Sequence, residues 1–103
     1  MLYTQTTIWE GTPEALLNLI EASKKSAPIH EKFGAKNPRI LEPVLGGETN
    51  RLHYCIDFDS VEAQGKFADS LESSGWMAGA HAFVTESYPN LKLVSTGLFV
   101  NRL

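Results

Sequence analysis

Histidine and aromatic side chains are the groups of this sequence best suited to chemistry on a small molecule. His53 and His81 carry imidazoles, a side-chain type that exchanges protons near neutral pH and serves as a general base. Tyr54, Trp76 and Phe67 could line a cavity, because aromatic rings bury large flat areas. We therefore predict His53 and His81 as catalytic residues and Tyr54, Trp76 and Phe67 as substrate-binding residues. The competing interpretation is that these aromatics only fill the core and its rim.

A histidine and the single cysteine lie on one face of a predicted strand. His53 and Cys55 are two residues apart, so their side chains point the same way. Such a pair could form an activated thiolate or half of a metal site, but no further ligand has matching spacing. The simpler interpretation is that Cys55 is a small apolar filler. Catalytic triads, zinc spacings and phosphate-binding loops are absent, so we predict no metal and no cofactor.

Hydrophobic periodicity assigns these residues to a series of strands and helices. The predicted strands are 2–9, 39–45, 51–58 and 91–100, and 51–58 alternates most clearly between apolar and polar residues. Helices are predicted from Thr12 and from Asp59, both of which can act as N-caps, and a shorter one from Trp76. Pro28 is expected to end or kink the first helix, because proline removes a backbone donor.

The order of these elements predicts an α+β fold with a ferredoxin-like βαββαβ arrangement. Strands one and three then lie in the middle of a four-stranded antiparallel sheet, with both helices on one face. Strands 39–45 and 91–100 carry apolar residues on both faces, so the helix-free face needs a cover. A twofold homodimer is the simplest closed solution. Residues 1–103 are predicted to form a single domain.

Composition and charge exclude several classes of function. A net charge of −3 without a basic stripe argues against nucleic-acid binding. No apolar run approaches the ~20 residues that span a bilayer, so no membrane association is expected. The single cysteine and an N-terminus unlike a signal peptide favour the cytoplasm.

The segment from Gly46 to Ser60 resembles the dimeric α+β barrel superfamily, in particular its NIPSNAP-like and antibiotic-biosynthesis-monooxygenase-like domains. In those domains a second hairpin runs into a helix start of the type aromatic-Asx-Ser, here Phe58-Asp59-Ser60. The segment Trp76–His81 is similar to the second helix of the superfamily, where an aromatic residue and a histidine often occur. The order of elements extends this resemblance over nearly the whole chain.

The resemblance implies a function as well as a fold. Cofactor-free oxygenases of the superfamily hold flat substrates between sheet and helices, and stabilise a substrate anion with polar and aromatic side chains. We therefore expect a small homodimeric α+β barrel with an aromatic-lined cavity, acting as a cofactor-independent monooxygenase or related enzyme on a small aromatic or apolar molecule. The alternative is a non-catalytic NIPSNAP-like dimerisation or ligand-binding module. A cavity of several hundred Å³ reaching His81 would favour the first, and a filled interior the second.

Haem binding is a third and less favoured expectation. Similarity to haem-degrading members would make His81 the axial iron ligand. Those members also use an asparagine on the first strand and a tryptophan in the second long helix. The corresponding residues here are Thr6 or Thr7 and Phe67, so two of the three are replaced.

Overall fold

The chain folds into a four-stranded antiparallel sheet with three helices. The computed structural model describes residues 1–103. The sheet has the order β2-β3-β1-β4, which confirms the ferredoxin-like prediction. None of the helices is both long enough and apolar enough to cross a membrane. The elements in chain order are β1 (Tyr3–Gly11), α1 (Pro13–Lys32), β2 (Lys36–Leu41), β3 (Arg51–Phe58), α2 (Val61–Ser74), α3 (Trp76–Ser87) and β4 (Leu91–Val100).

Helix α1 begins as the sequence predicts but is longer. The Thr12 hydroxyl accepts a hydrogen bond from the backbone N–H of Ala15 at 3.2 Å, which caps the first turn. Pro28 was predicted to end or kink the helix, and it does not end it, because α1 continues through Pro28 to Lys32. Pro28 lies on the exposed side, so the Lys24 carbonyl that loses its donor can bind water.

The strand that follows α1 ends earlier than predicted. β2 covers Lys36–Leu41, so the predicted extension through Pro43 to Leu45 is wrong. Those residues belong to the loop before β3, in which Gly46 and Gly47 adopt φ angles of 66° and 68°. Such left-handed angles favour glycine, and the two residues close the loop as the sequence predicts.

The cap of α2 also differs from its prediction. Ser60, and not Asp59, is the N-cap, and its hydroxyl accepts from the backbone N–H of Ala63 at 3.0 Å. Asp59 instead pairs with Lys36 at 2.6 Å. Gly75 then separates α2 from α3 with a left-handed φ of 82°.

Two hydrophobic clusters lie between the helices and the sheet. One joins α2 to β3 and contains Ala35, Ile56, Phe58, Phe67 and Leu71. The other joins the first half of α1 to β3 and β4 and contains Ala15, Leu19, Leu52 and Leu91. Burial of these side chains against one face of the sheet supplies the main driving force for folding.

The opposite face of the sheet carries no helix, and it is more polar than predicted. A bulge at Val94 shifts the register of β4 on β1, so that Leu91 and Leu93 share the helix-covered face with Leu98 and Val100. Strict alternation along 91–100 predicts that Leu91 and Leu93 point away from the face of Leu98 and Val100, and the bulge shows that this prediction is wrong. By register, the side chains of the helix-free face are Thr4, Thr6, Ile8, Glu10, Lys36, Arg39, Leu41, Arg51, His53, Cys55, Asp57, Lys92, Ser95, Gly97 and Phe99.

A buried carboxylate organises this helix-free face. Asp57 accepts hydrogen bonds from the Thr4 hydroxyl at 2.8 Å and from Arg39 Nη1 at 3.1 Å. Only 6% of Asp57 is exposed. The charge is tolerated there because it is paired and hydrogen-bonded. The contact fixes the position of β2 against β3 and β1.

The corner between β1 and α1 yields a stability prediction. A Cβ atom added to Gly11 would lie 2.6 Å from the backbone oxygen of Asn90. That oxygen already accepts from the N–H of Thr12 at 3.0 Å, so it cannot move freely. We expect Gly11→Ala to lower the free energy of unfolding by about 1–3 kcal/mol in urea denaturation.

The matched control is the same substitution inside a helix. A Cβ atom at Gly65 in α2 meets no atom within 4 Å. Gly65→Ala should therefore raise the free energy of unfolding by up to about 1 kcal/mol through helix propensity. Equal effects of the two substitutions would contradict the close approach at Gly11.

Candidate functional site

A cavity of about 830 Å³ lies on the helix-covered face of the sheet. Its volume falls in the range of pockets that hold small organic molecules. The lining comes from α1, α3 and three strands, and it combines aromatic rings with polar groups. The lining includes Thr7, Trp9, His30, Tyr54, Trp76 and His81.

The buried end of this cavity is built around His30, near the C-terminal end of α1. Its Nδ1 atom lies 2.7 Å from the hydroxyl of Tyr54 on β3, within hydrogen-bond distance. The ring of Trp76 meets it edge-on with centroids 4.9 Å apart, and that of Phe67 does so at 5.5 Å. His30 is thus held by three aromatic side chains from three different elements.

Burial keeps both polar members of this cluster neutral. Only 7% of His30 is exposed, and desolvation lowers the pKa of its imidazole to about 4. Desolvation, assisted by the Glu31 carboxylate, raises the pKa of Tyr54 to about 12. At neutral pH the pair is therefore an uncharged imidazole bonded to an uncharged phenol. The Nε2 atom of His30 is buried and has no hydrogen-bond partner.

The other end of the cavity is open and polar. Among the lining residues, the exposed polar ones are Asn18, Glu21, Lys25 and His81. They lie on α1 and α3, whose facing surfaces form the mouth. The cavity therefore has a charged, hydrated entrance and an uncharged aromatic interior.

The structure brings together three of the five predicted site residues. Tyr54, Trp76 and His81 all line the cavity. Phe67 lies just behind it, 2% exposed, where it contacts His30 and packs on Phe58 at a centroid distance of 5.0 Å. Phe67 thus supports the lining from the core without reaching the cavity itself.

The remaining predicted residue, His53, lies on the opposite face of the sheet. Successive residues of a strand point to opposite faces, so His53 and Tyr54 are separated by the sheet. His53 lines a second hollow of about 480 Å³, formed with Leu41, Arg51 and the loop before β3. Cys55, on the same face, is buried and lies 3.6 Å from the Thr6 hydroxyl. His53 and His81 therefore do not share one site.

His30 is the residue of this site that the sequence prediction missed. A helix that ends or kinks at Pro28 does not carry its apolar stripe on to His30. Once the helix continues, His30 follows Ser23 and Ala27 at helical spacing and extends the apolar stripe of α1. That periodicity is the signal in the sequence that could have found it.

Haem, which the resemblance associates with His81, fits this site in part. His81 is exposed at the mouth, where an imidazole could ligate an iron ion. The two other positions do not fit the haem-degrading set. Thr7 on the cavity wall stands where those members have an asparagine. Phe67, which stands where they have a tryptophan, is buried in the core and does not line the cavity. No group of three or more His, Cys, Asp or Glu side chains is placed to hold a metal ion.

Several solved structures share this fold. A dimeric ferredoxin-like protein from an uncultured marine organism has 17% identity and a TM-score of 0.71, with 99% of this chain and 98% of that chain covered. A variant of MhuD with two manganese protoporphyrin IX molecules bound per active site has 24% identity and a TM-score of 0.65, with 100% and 96% covered. A candidate antibiotic biosynthesis monooxygenase from Chloroflexus aurantiacus has 16% identity and a TM-score of 0.53, with 99% and 94% covered.

These similarities extend over nearly the full length of every chain compared. At such identities they show a shared fold, and they confirm the predicted ferredoxin-like βαββαβ arrangement. Neither a family model nor a curated protein matches the sequence. Because a shared fold does not determine a function, the chemistry of the cavity depends on its own residues.

The buried imidazole predicts a pH dependence of stability. In the unfolded chain His30 binds a proton near its ordinary pKa of 6.5, whereas in the folded protein it does so only near 4. Between these values the unfolded state holds more protons, so stability falls as the pH is lowered through this window. We expect His30 to contribute a loss on the order of 2 kcal/mol by about pH 4.5.

The measurement is urea denaturation of the wild type and of His30→Phe at several pH values. His30→Phe keeps a ring in the cluster but cannot bind a proton, so its stability should depend less on pH in this window. The difference between the two curves isolates His30 from other titrating groups. Parallel curves for the two proteins would show that His30 is not buried in its neutral form.

Proposed function

We propose that this chain is a homodimeric enzyme that binds a planar aromatic molecule in the cavity and oxygenates it with molecular oxygen and no cofactor. The observation that carries the proposal is that one cavity of about 830 Å³ has both an exposed imidazole, that of His81, and an uncharged aromatic interior. A base beside an apolar pocket can generate a substrate anion and keep the oxidation away from bulk water.

The aromatic side chains that line the cavity favour a flat ligand. Trp9, Trp76, Tyr54 and Phe83 line the cavity, and rings of this kind stack on or meet the edges of another ring. The small residues Gly79 and Ala80 on α3 leave room between the helix and the sheet. Lys25 at the mouth could pair with a negative substituent on the ligand.

The proposed reaction converts an activated CH₂ group between aromatic rings into a carbonyl. The His81 imidazole accepts one proton from this carbon, and the resulting anion passes an electron to O₂. Recombination of the two radicals forms a C–O bond and gives a peroxide, which takes the proton back from His81. Loss of the second C–H proton and cleavage of the O–O bond then release water and leave the ketone. One oxygen atom of O₂ enters the product and the other leaves as water.

Self-association is the second part of the proposal, and the helix-free face supports it. Two solved structures with this fold are described as dimeric. On that face Leu41 is 52% exposed and Phe99 is 60% exposed. Burial of these side chains against a second copy would remove apolar area from water, and twofold symmetry would cover both copies at once.

The catalytic prediction is tested with anthrone, whose oxidation to anthraquinone is followed by absorbance with a protein-free reaction subtracted. His81→Ala should lower kcat/KM at least about 100-fold, because a general base contributes that much or more. Binding of anthrone, followed by tryptophan fluorescence, should change little. The control is His53→Ala, on the other side of the sheet, which should keep wild-type turnover.

Other outcomes separate the competing functions. Wild-type turnover by His81→Ala would contradict the role of this imidazole, and binding without turnover would identify a non-catalytic ligand-binding module. Haem is the second candidate, since the exposed imidazole of His81 lines the cavity and could ligate an iron ion. A Soret band after hemin titration that His81→Ala abolishes would favour it over the cofactor-free reaction.

The oligomeric prediction is tested by light scattering coupled to size-exclusion chromatography. The wild type should elute at twice the chain mass of 11.4 kDa. Phe99→Glu places a charge on the helix-free face and should shift the protein to the monomer. Leu17→Glu is the matched control, since Leu17 is 65% exposed on α1 and should tolerate the charge without loss of the dimer. A monomeric wild type would refute the dimer.

A further inference from the structure

The buried end of the cavity contains an unsatisfied polar atom, His30 Nε2. We infer that this atom is a hydrogen-bond donor that holds a carbonyl or phenolate oxygen of the ligand. The inference rests on the proposed function, because it takes the cavity as the binding site. It adds the chemical class of the ligand: a planar aromatic molecule whose inner edge carries an oxygen acceptor.

The direction of the His30–Tyr54 hydrogen bond determines which nitrogen of His30 carries the proton. If the Tyr54 hydroxyl donates to Nδ1, the phenol proton is satisfied and the single proton of the neutral ring lies on Nε2. If Nδ1 donates instead, the phenol proton loses its partner and Nε2 becomes an unpaired acceptor. The first arrangement leaves one unpaired group and the second leaves two, so the first is favoured.

A buried donor without a partner is costly, and most such donors in folded proteins are satisfied. The partner of Nε2–H must come from outside the surrounding cluster, because Phe67 has no polar atom, the Trp76 indole N–H can only donate, and Tyr54 already bonds Nδ1. The neutral state of His30, which its lowered pKa of about 4 supports, suits an uncharged carbonyl as well as a phenolate. A ligand oxygen at this point would replace an unsatisfied group with a hydrogen bond.

Access to Nε2 requires one side chain to move. Trp76 is the side chain placed to do so, because it contacts His30 and also lines the cavity. It stands at the first position of α3, directly after the left-handed Gly75, and is only partly buried. A rotation of the Trp76 side chain would extend the cavity to the imidazole, so the ligand would insert its oxygen-bearing edge between Trp76 and Tyr54.

The test uses two probes of nearly equal shape, 9-fluorenone and fluorene, which differ by a carbonyl in place of a methylene group. Their dissociation constants are measured by tryptophan fluorescence on the wild type and on His30→Phe. We expect the ratio of fluorenone affinity to fluorene affinity to fall about tenfold in His30→Phe, the effect of one hydrogen bond. Phe83→Leu, which alters the lining without a polar change, should weaken both probes alike and keep the wild-type ratio.

The outcomes separate this inference from the proposed function. If both probes bind and the ratio is the same in wild type and His30→Phe, His30 is not the anchor, although the cavity still binds aromatic molecules. If neither probe binds, the cavity is not an aromatic site, and both proposals fail. Nitrogen-15 NMR of the wild type gives a check that needs no variant. The His30 Nε2 resonance should be of the protonated type and should shift with fluorenone but not with fluorene, and an unprotonated Nε2 would overturn the inference.

Discussion

The hydrogen bond between His30 and Tyr54 is the contact on which the site depends. It ties the last turns of α1 to β3, and it forms only because α1 passes through Pro28 without ending. Its 2.7 Å length and its burial fix the imidazole among aromatic rings. Burial keeps this end of the cavity uncharged, because desolvation disfavours the ionised forms of both partners. The charged groups therefore lie at the mouth of the cavity, and the buried end is an uncharged aromatic surface.

The two faces of the sheet differ in composition, because successive side chains of β3 point to opposite faces. Its even-numbered residues build the hydrophobic clusters and the cavity, whereas its odd-numbered residues build the polar network around Asp57. This division explains why His53 points away from the cavity that His81 lines. A change on one face is therefore expected to leave the other nearly independent, as long as the backbone of β3 stays in place.

The fold was largely predictable because its signals are local. Alternation gave the bounds of β3, and the glycine before Trp76 gave the start of α3. The missed features depend on contacts that local patterns do not contain. Pro28 is tolerated because its face is solvated, and the bulge at Val94 forms in the pairing of β4 with β1, which is distant in sequence. The site was predictable only in part. Its central residue, His30, follows Pro28, where the local rules for proline predict an end or a kink of α1.

The shape of α3 explains why a cavity exists where these elements meet. Helix α3 is apolar in composition, yet it buries none of its residues, and it places the small residues Gly79 and Ala80 along the cavity. Larger side chains at these positions would fill the space and join the two hydrophobic clusters into one. Empty apolar volume lowers stability, because its lining loses packing contacts. A helix that leaves such space above His30 and Tyr54 therefore lowers stability at the one place where a buried side-chain nitrogen lacks a hydrogen-bond partner. That coincidence of unfilled volume and unmet hydrogen bonding is what a binding site requires.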